Sequence, residues 1–382
     1  DTTLYVFNRL ISLNEVGGNP EHFGISPAEF HAYNQRHAEQ WRYTMNGTAT
    51  HDTKRGEDTR ARINVLSEMP GEWEQQINAW SAINRGLRRD RHGLAMPDRN
   101  DEYLLYQTLV GAFPFEEHEH ESFLARVKDY MIKAIRESKA HTAWLRPDME
   151  YEEACTAFVE QILDPAISSQ FLEAFMPFQK RVAYYGIFNS LAQTLLKLAV
   201  PGVPDFYQGT ELWDLSLVDP DNRRPVDYEQ RATFLHTLTT QIKTDVPQLL
   251  KSLVANKSDG QIKFFLTLQG LKARNTHRDL FLEGQYIPLE VQGSRANHII
   301  AFARQHRQQW AIAIAPRFLT TLIQPGEDPL GAVWQDTHLR LPNECPTQWK
   351  DALSEQSLDT TNVLTIADVL THFPGALLLS QP

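Results

Sequence analysis

Apolar residues at helical spacing dominate the middle of the chain. They recur three and four positions apart between polar residues, which is typical of amphipathic helices that bury one face. The apolar stripes run over Trp73–Ile83, Tyr103–Val110, Phe123–Ile135 and Phe188–Leu198. A helical stretch of this length exceeds what a single connection between two elements needs. We therefore expect an inserted helical subdomain over residues 73–195.

The pattern changes after residue 240. One more helical stripe covers Ile262–Leu271, and short runs rich in β-branched and aromatic residues then alternate with turn residues. These runs are Tyr286–Val291, Ile299–Phe302, Trp310–Ile314, Leu339–Leu341 and Ala376–Ser380. We expect a helix followed by an antiparallel β-sandwich over residues 241–382.

Cap and turn residues mark the elements of the N-terminal part. Ser26, Pro27 and Glu29 have the order of an N-cap, a first helical residue and a capping-box partner, so a helix is expected to begin at Pro27. The polar run Thr50–Arg60 is typical of a loop that ends in a helix start, because apolar residues at helical spacing follow it. Pro70 is expected to close that segment.

Composition and charge narrow the choice of function. The chain has 382 residues and an apolar content of 42%, which predicts two domains with sizeable cores. A formal net charge of −11 disfavours nucleic acid and anionic membrane as partners, but it does not hinder a neutral ligand such as a sugar. Because the sequence has two cysteines and no apolar run long enough to span a membrane, we expect a soluble cytoplasmic protein.

The densest group of chemistry-bearing residues is the run His51–Asp58. Glu57 and Asp58 suit the N-terminal end of the following helix, which leaves Asp52 as the carboxylate that the helix does not need. Cationic side chains on both sides of Asp52 favour its charged form. A His-Asp pair in a polar loop is more often a solvated surface or a local cap than a catalytic pair, and spacing alone leaves both interpretations open.

A second group lies within residues 200–228. The short apolar run around Phe206 and Tyr207 is bounded by Pro and Gly, which is typical of a buried strand that opens into a loop. In that loop Asp219 and Asp221 alternate as calcium ligands do, but arginines follow them in place of further oxygen ligands, so we reject a calcium site. A ligand-binding loop and a turn with a structural Asp–Arg pair both remain possible interpretations.

Both groups resemble one enzyme family. The run His51–Asp58, with the sequence His-Asp-Thr-Lys-Arg-Gly-Glu-Asp, is similar to the fourth conserved region of maltooligosyl trehalose synthases, which are members of the α-amylase superfamily. Ser12–Gly18, with the sequence Ser-Leu-Asn-Glu-Val-Gly-Gly, and residues 200–228 resemble the same family, and the resemblance covers nearly the whole chain.

The resemblance implies an architecture. It is the C-terminal portion of an amylase-type (β/α)8 barrel with a large helical insertion, followed by an antiparallel β-sandwich. In this interpretation residues 1–72 form a barrel segment that carries His51 and Asp52, and residues 73–195 form the helical insertion. Residues 196–240 would supply the last barrel strand and a substrate loop, and residues 241–382 the C-terminal helix and sandwich.

The resemblance also implies a reaction, in which a glucosylmutase changes the reducing-end α-1,4 linkage of a maltooligosaccharide to α,α-1,1. Asp52 would be the acidic group that hydrogen-bonds the distorting sugar, and His51 would bind the same glucose. The nucleophile and the acid/base carboxylate would lie upstream of this chain. Further substrate contacts are expected from Lys54, Arg55, Tyr207, Glu211, Asp219, Asp221, Asn222 and Arg223. No metal or organic cofactor is expected.

Two interpretations stay open for the charged residues near the end of the Phe123–Ile135 stripe. Lys133 and Glu137 have the spacing of an i to i+4 pair on a solvated helix face. The family resemblance instead implies that both residues, together with Arg136 and Lys139, lie near the reducing-end sugar.

The start of the chain leads to an expectation about completeness. Asp1 enters directly into a structured-looking segment, and in the resembled family the matching segment lies in the middle of a longer chain. We therefore expect the C-terminal half of an enzyme whose partner is its missing N-terminal half and whose isolated form is inactive. The alternatives are another α-glucan hydrolase or transferase, and a non-catalytic fragment.

Overall fold

The structure is a computed structural model that describes residues 2–381. Asp1 and Pro382, the outer limits of the first and last expected domains, lie outside the described residues. In chain order the α-helices are Thr2–Val6 (α1), Pro27–Gln40 (α2), Glu57–Val65 (α3), Pro70–Ile83 (α4), Arg99–Ala112 (α5), His120–Ser138 (α6), Met149–Leu163 (α7), Pro165–Ala199 (α8), Tyr228–Ile242 (α9), Val246–Ala255 (α10), Gln261–Thr276 (α11), Arg278–Glu283 (α12) and Ile366–Val369 (α13).

The strands are short except for one pair. They are Met45–Gly47 (β1), Arg89–Arg91 (β2), Leu94–Met96 (β3), Val203–Asp205 (β4), Gln285–Pro288 (β5), Glu290–Gln292 (β6), Ile299–His306 (β7), Gln309–Pro316 (β8), His338–Arg340 (β9), Gln348–Asp351 (β10), Ser357–Asp359 (β11), Val363–Thr365 (β12) and Ala376–Ser380 (β13).

The described chain forms two compact units, each assembled from separate segments. The first unit contains the chain up to Phe23, His51–Gly186 and Asp214–Arg224. The second contains Gly24–Thr50, Ile187–Trp213 and the chain from Pro225 onward. The expected four-part division of the chain stays a prediction.

The first unit is mainly helical and has an aromatic core. Trp80 of α4 is fully buried and its ring lies 5.3–6.0 Å from the rings of aromatic residues on α4, α5 and α8. Aromatic pairs at these separations add to the free energy gained by burying their area. Helix α3 fits closely against its neighbours, because a Cβ on Gly111 would lie 2.7 Å from Ile63 and one on Gly186 would lie 2.5 Å from Arg62.

The second unit contains the two larger antiparallel sheets, and the antiparallel pair β2–β3 lies in the first unit. The larger sheet of the second unit has six strands in the order β11-β10-β13-β8-β7-β5, and a three-stranded sheet has the order β12-β9-β6. The β7–β8 hairpin pairs Ile299 with Pro316 through His306 with Gln309, and nearly all of its residues are buried. The same unit holds a separate parallel pair, in which β1 lies beside β4 and Met45 is opposite Val203.

Much of the predicted secondary structure is confirmed. The four central stripes lie in α4, α5, α6 and α8, and the C-terminal runs lie in or overlap β5 to β9 and β13. Helix α2 begins at Pro27 with Ser26 and Glu29 forming the expected capping box. Among residues 2–381, no helix is long and apolar enough to cross a membrane.

One local prediction is incomplete and one is wrong. The segment that begins with α3 ends at Met69, as predicted, but Pro70 also opens α4, where its missing N–H costs no helical hydrogen bond. Strand β4 is Val203–Asp205 and ends before Phe206. The Tyr207 carbonyl accepts hydrogen bonds from the N–H and hydroxyl of Thr210, so Phe206 and Tyr207 lead into a turn.

Candidate functional site

The His51–Asp52 motif lies in a loop that runs directly into α3. Gly56 is the N-cap of the helix, and Glu57 and Asp58 occupy its first turn as expected. Carboxylates at this end of a helix interact favourably with its dipole. The local sequence therefore fixes where the loop ends, and the loop residues before Gly56 are held by contacts with other segments.

Exposure divides this loop into two parts. Thr53 and Arg55 are buried, whereas the side chains of His51 and Asp52 have 62% and 65% of their surface exposed. His51 Nε2 lies 3.4 Å from Asp52 Oδ2. The two residues that the sequence singled out are thus presented at the surface of the first unit by a loop whose following residues point inward.

Glu15 holds the loop from one side. Both of its carboxylate oxygens lie 2.9 Å from the backbone N–H of Lys54, and Arg60 Nη1 lies 3.8 Å from Oε2. The Glu15 side chain is largely buried, with 14% of its surface exposed. Hydrogen bonds to a charged acceptor are stronger than neutral ones, so this contact restrains the backbone two residues after Asp52.

A second loop, residues 214–223, holds the motif from the other side. The Gly56 N–H donates to the Ser216 carbonyl at 2.8 Å, and Arg55 and Leu217 form an antiparallel bridge. Asn222 Nδ2 donates to the His51 carbonyl at 3.1 Å across 171 residues of sequence. The structure thus brings together two of the groups of candidate residues that the sequence indicated separately.

The approach of the two loops depends on the absence of a side chain at Gly56. A Cβ there would lie 2.5 Å from the Asp214 carbonyl oxygen and 2.7 Å from its carboxylate. The Asp214 N–H in turn donates to Asp58 Oδ2 at 2.6 Å. Backbone-to-backbone packing of this kind leaves no room for any residue other than glycine.

Asp219 and Asp221 are both paired with cations from α6. Lys133 Nζ donates to Asp219 Oδ1 at 2.6 Å and to its carbonyl at 2.7 Å, and this contact lowers the pKa of Asp219. Arg126 makes hydrogen bonds of 2.7 and 2.8 Å with the two oxygens of Asp221. Burial raises the pKa of Asp221, but the ion pair with Arg126, the charge of Arg224 and the Leu217 N–H together outweigh burial, so the net pKa is lowered.

The remaining residues of this loop differ in exposure. Asn222 is buried, whereas Arg223 is exposed and its Nη2 lies 3.6 Å from Asp219 Oδ2. Asp221 also accepts the Leu217 N–H at 2.7 Å and pairs with Arg224 at 3.1 Å. Asp221 therefore has the structural Asp–Arg contacts that the sequence left as an alternative, and Asp219 and Arg223 lie nearer to solvent.

Arg55 and Lys54 take different positions. Arg55 is 1% exposed, and its guanidinium donates to the Ile11 carbonyl at 3.1 Å and to the Tyr130 hydroxyl at 2.8 Å. Lys54 Nζ lies 6.0 Å from the centroid of the Tyr5 ring. Arg55 therefore anchors the loop in the interior of the first unit, while Lys54 is half-buried beside the aromatic ring.

Tyr207 and Glu211 belong to the second unit. Glu211 Oε2 accepts a hydrogen bond from Arg231 Nε at 2.9 Å, and Arg231 also donates to the Gly209 carbonyl. This ion pair fixes the turn that follows β4. The expected substrate roles of Tyr207 and Glu211 stay predictions.

One helical face supplies contacts that the sequence reasoning did not assemble. Arg126, Tyr130 and Lys133 of α6 contact Asp221, Arg55 and Asp219 in turn. Their spacing of four and three residues places them on one face. Lys133 pairs with Asp219 and not with Glu137, so the interpretation as a simple i to i+4 pair is wrong. The signal was present as polar residues at helical spacing beside the apolar stripe.

Within residues 2–381 there is no cluster of three or more His, Cys, Asp or Glu side chains arranged to hold a metal ion. The carboxylates of the candidate site are occupied with lysine, arginine or backbone N–H partners. Its electrostatic character is thus a set of ion pairs around an exposed His-Asp pair.

Comparisons with known proteins give one consistent result. No protein-family model matches the chain. A putative maltooligosyl trehalose synthase from Mycobacterium tuberculosis is 36% identical over 354 residues, which is 93% of this chain and 40% of that protein. The chain is homologous to maltooligosyl trehalose synthases over part of their length.

Solved structures agree with this relationship. A maltooligosyltrehalose synthase from Arthrobacter ramosus superposes with a TM-score of 0.80 at 32% identity, covering 99% of this chain and 44% of that one. A hypothetical maltooligosyl trehalose synthase from Sulfolobus tokodaii superposes with a TM-score of 0.72 at 30% identity, again over 44% of its length. The chain thus spans about two fifths of the length of the maltooligosyl trehalose synthases that it matches.

Proposed function

We propose that this chain is the C-terminal part of a maltooligosyl trehalose synthase and holds the reducing-end glucose during the reaction. That enzyme, a glucosylmutase, changes the terminal α-1,4 linkage of a maltooligosaccharide to α,α-1,1 by intramolecular transfer. Homology over 93% of the chain supports the proposal. The two buried free thiols, Cys155 and Cys345, suit a reducing cytoplasm as the place of the reaction.

One observation carries the proposal most directly. The loop before α3 is clamped by Glu15 and by the 214–223 loop, yet it exposes His51 and Asp52 together. A stabilising surface pair would not need such support, whereas a group that must contact a ligand gains from a rigid backbone. Asp52 and His51 are therefore assigned to substrate.

The proposed chemistry is retaining glycosyl transfer. Such enzymes use a carboxylate nucleophile and an acid/base carboxylate about 5 to 5.5 Å apart, around an oxocarbenium-like transition state. We assign both groups to the part of the enzyme outside this chain. Asp52 would hydrogen-bond the hydroxyls of the reacting glucose more strongly as its ring distorts, which lowers the barrier by differential binding.

The other candidate residues divide by their exposure. Lys54, Asp219 and Arg223 lie near the surface of the same loops and are proposed to contact the sugar. Arg55, Asp221 and Asn222 each make hydrogen bonds to other residues of these segments, so we assign them to positioning the loops. Tyr207 and Glu211 are kept as proposed contacts from the turn after β4.

The parallel pair β1–β4 supports the proposal that another part completes the fold. Parallel sheets are normally larger and covered on both faces, and a two-stranded sheet is at best marginally stable alone. Met45 and Val203 in this pair are 66% and 38% exposed. We propose that the N-terminal part of the enzyme adds strands here to complete an amylase-type barrel, followed by the expected β-sandwich.

The test is to incubate the 382-residue chain with maltopentaose and to follow reducing ends, with and without the remaining part of a maltooligosyl trehalose synthase. We expect no conversion by the chain alone and loss of reducing ends in the mixture. Asp52→Asn should lower the rate in the mixture by about 100-fold or more, as removing a transition-state contact does elsewhere. Asp129→Asn, at an exposed position of α6, is the matched control.

Three results would contradict the proposal. Conversion by the chain alone would place the essential carboxylates within it. Unchanged activity of the Asp52→Asn mixture would remove Asp52 from the site. Release of glucose without loss of reducing ends would favour an α-glucan hydrolase.

A further inference from the structure

A tight turn in the first unit exposes a tryptophan. The backbone of Ala143 and Arg146 is joined by reciprocal hydrogen bonds of 3.2 and 3.0 Å, which leaves Trp144 and Leu145 at the tip. Trp144 is 52% exposed. A large aromatic side chain in water does not gain the free energy of burial. Its orientation and surroundings therefore indicate whether it is placed to contact a ligand.

The indole ring is held in one orientation. Trp144 Nε1 donates to Glu137 Oε1 at 2.8 Å, and the Arg136 guanidinium carbon lies 4.7 Å from the ring centroid. Arg136 is itself fixed by hydrogen bonds of 2.8 and 2.6 Å to the two oxygens of Glu152. One side of the ring is thus covered by a fixed cation, and the exposed part faces solvent.

The turn that carries the ring is also anchored at both ends. His141 Nε2 lies 2.8 Å from Asp98 Oδ2, and Thr142 Oγ1 donates to Glu152 at 2.6 Å. The Asp148 N–H donates back to Thr142 Oγ1 at 2.9 Å. Fixing an exposed aromatic ring in this way reduces the entropy that a ligand must pay when it binds.

The ring continues the row of contacts that forms the candidate site. Arg126, Tyr130, Lys133 and Glu137 follow at spacings of four, three and four on α6, which is one helical face. Arg126 contacts Asp221, Lys133 contacts Asp219, and Glu137 contacts Trp144. Four residues along a helix correspond to about 6 Å, so Glu137, which accepts the indole N–H of Trp144, follows Lys133 by about one helical turn.

We propose that Trp144 is a stacking platform for a glucosyl ring of the α-glucan substrate. A pyranose presents an apolar face of C–H groups, which packs on an indole face without displacing hydrogen bonds. Asp219, which Lys133 contacts, and Arg223, which pairs with Asp219, offer polar groups for the hydroxyls of the same sugar chain. The inference rests on the proposed function and adds a specificity contact to it.

The experiment measures binding of maltopentaose to the whole chain by calorimetry, alone and with the remaining part of the enzyme. Trp144→Ala should weaken binding by about tenfold, the range of one well-formed contact, and Trp144→Phe should retain most of the affinity. Trp41→Ala, at a 64% exposed tryptophan of the second unit, is the matched control and should bind as the parent does. Thermal melting of each variant verifies that it folds.

A fluorescence measurement separates contact from a structural role. Maltopentaose should protect part of the tryptophan emission from acrylamide quenching, and the protection should disappear in Trp144→Phe although the sugar still binds. Loss of folding alone would not produce this combination.

The outcomes distinguish this inference from the proposed function. Unchanged affinity of Trp144→Ala, with weakened binding by Asp52→Asn, would overturn the platform and leave the proposed function standing. If Trp144→Ala impairs association with the remaining part of the enzyme but not sugar affinity, the ring belongs to a protein interface and the platform is wrong. If the parent chain binds no maltopentaose in either form, the proposed function fails and the platform fails with it.

Discussion

At the scale of single residues, the candidate site depends on side chains that act through the backbone. Glu15 accepts the Lys54 N–H with both carboxylate oxygens, and Asn222 donates to the His51 carbonyl. Neither residue needs to touch a substrate to influence Asp52. Such residues escape a search for exposed polar groups, because their functional atoms are turned into the protein.

Replacing Glu15 tests this restraint. Glu15→Ala should lower the free energy of unfolding by about 1 to 3 kcal/mol, because the part-buried backbone N–H of Lys54 loses a charged acceptor. Glu15→Gln keeps one acceptor oxygen and should lower the free energy of unfolding by less than Glu15→Ala does. Urea unfolding of the three proteins gives the values. Equal stability of Glu15→Ala and the parent would show that the loop does not depend on this contact.

The buried carboxyl group of Asp101 predicts that the stability of the protein depends on pH. Burial, assisted by the neighbouring Asp98, raises the pKa of Asp101 from 3.8 to about 6, although the Tyr151 hydroxyl donates to it at 2.6 Å. Its contribution to stability is therefore complete below pH 3.8 and is lost as the pH rises through about 6. Asp101→Asn keeps an acceptor for Tyr151 and removes the ionisation.

We therefore expect the melting temperature of Asp101→Asn, relative to that of the parent, to increase as the pH rises from about 4 to about 7. Circular dichroism at a series of pH values measures the difference. A difference that stays constant over this range would mean that Asp101 does not take up a proton on folding there.

At the scale of elements, α3 connects the exposed loop to the core of the first unit. Arg62 of α3 donates to the carbonyls of Gly111 and Phe113 at 3.2 and 2.5 Å, and burial lowers its pKa to about 9. A cation that satisfies carbonyls at the C-terminal end of α5 also complements its dipole. The position of α3 against α5 and α8, and hence of Gly56, follows from this packing.

Gly186→Ala tests the close approach. Its Cβ would lie 2.5 Å from Arg62 Cγ and 3.0 Å from Arg62 Cα, so overpacking should cost about 1 to 3 kcal/mol of unfolding free energy. Gly71→Ala is the matched control, because Gly71 is in α4 with nothing within 4 Å of the added Cβ and should change stability by less than about 0.5 kcal/mol. If the two variants have similar stabilities in urea, α3 can move enough to accommodate the added methyl group at residue 186.

The elements also show how far the sequence could predict this structure. Helix α6 buries one face and α5 is buried on nearly all sides, and the apolar periodicity of both identified them without tertiary information. Strand β4 has three residues, one of them Pro204, so a local pattern placed it a few residues too late. The contact between His51 and Asn222 joins positions 171 residues apart, and no local pattern encodes such a pairing. The resemblance indicated the exposed motif and also Asn222, but as a substrate contact and not as a residue that holds the backbone of His51.

At the scale of the whole molecule, the two strand systems of the second unit should differ in local stability. The eight-residue strands β7 and β8 are paired along their full length and buried, whereas β1 and β4 pair over three residues. Amide hydrogen exchange in the isolated chain should be much faster at Met45–Gly47 and Val203–Asp205 than in the hairpin.

Adding the remaining part of the enzyme should slow exchange in β1 and β4 and leave β7 and β8 unchanged, which mass spectrometry of peptides can resolve. Equal protection of both systems in the isolated chain would show that the parallel pair is already complete. Unchanged exchange in the mixture would mean that the other part binds elsewhere.

The division of the chain into discontinuous segments constrains its biosynthesis. Asp214–Arg224 returns to the first unit after the chain has entered the second at Ile187. The loop that holds His51 therefore leaves the ribosome long after the motif itself. The earlier segments of the first unit are synthesised before this loop is available to pack against them. Since domains normally fold in order of synthesis, we expect the first unit to complete its folding only after residue 224 has been synthesised. No single cut yields either unit as a continuous peptide, so expression of one unit alone would require joining its separate segments with new linkers.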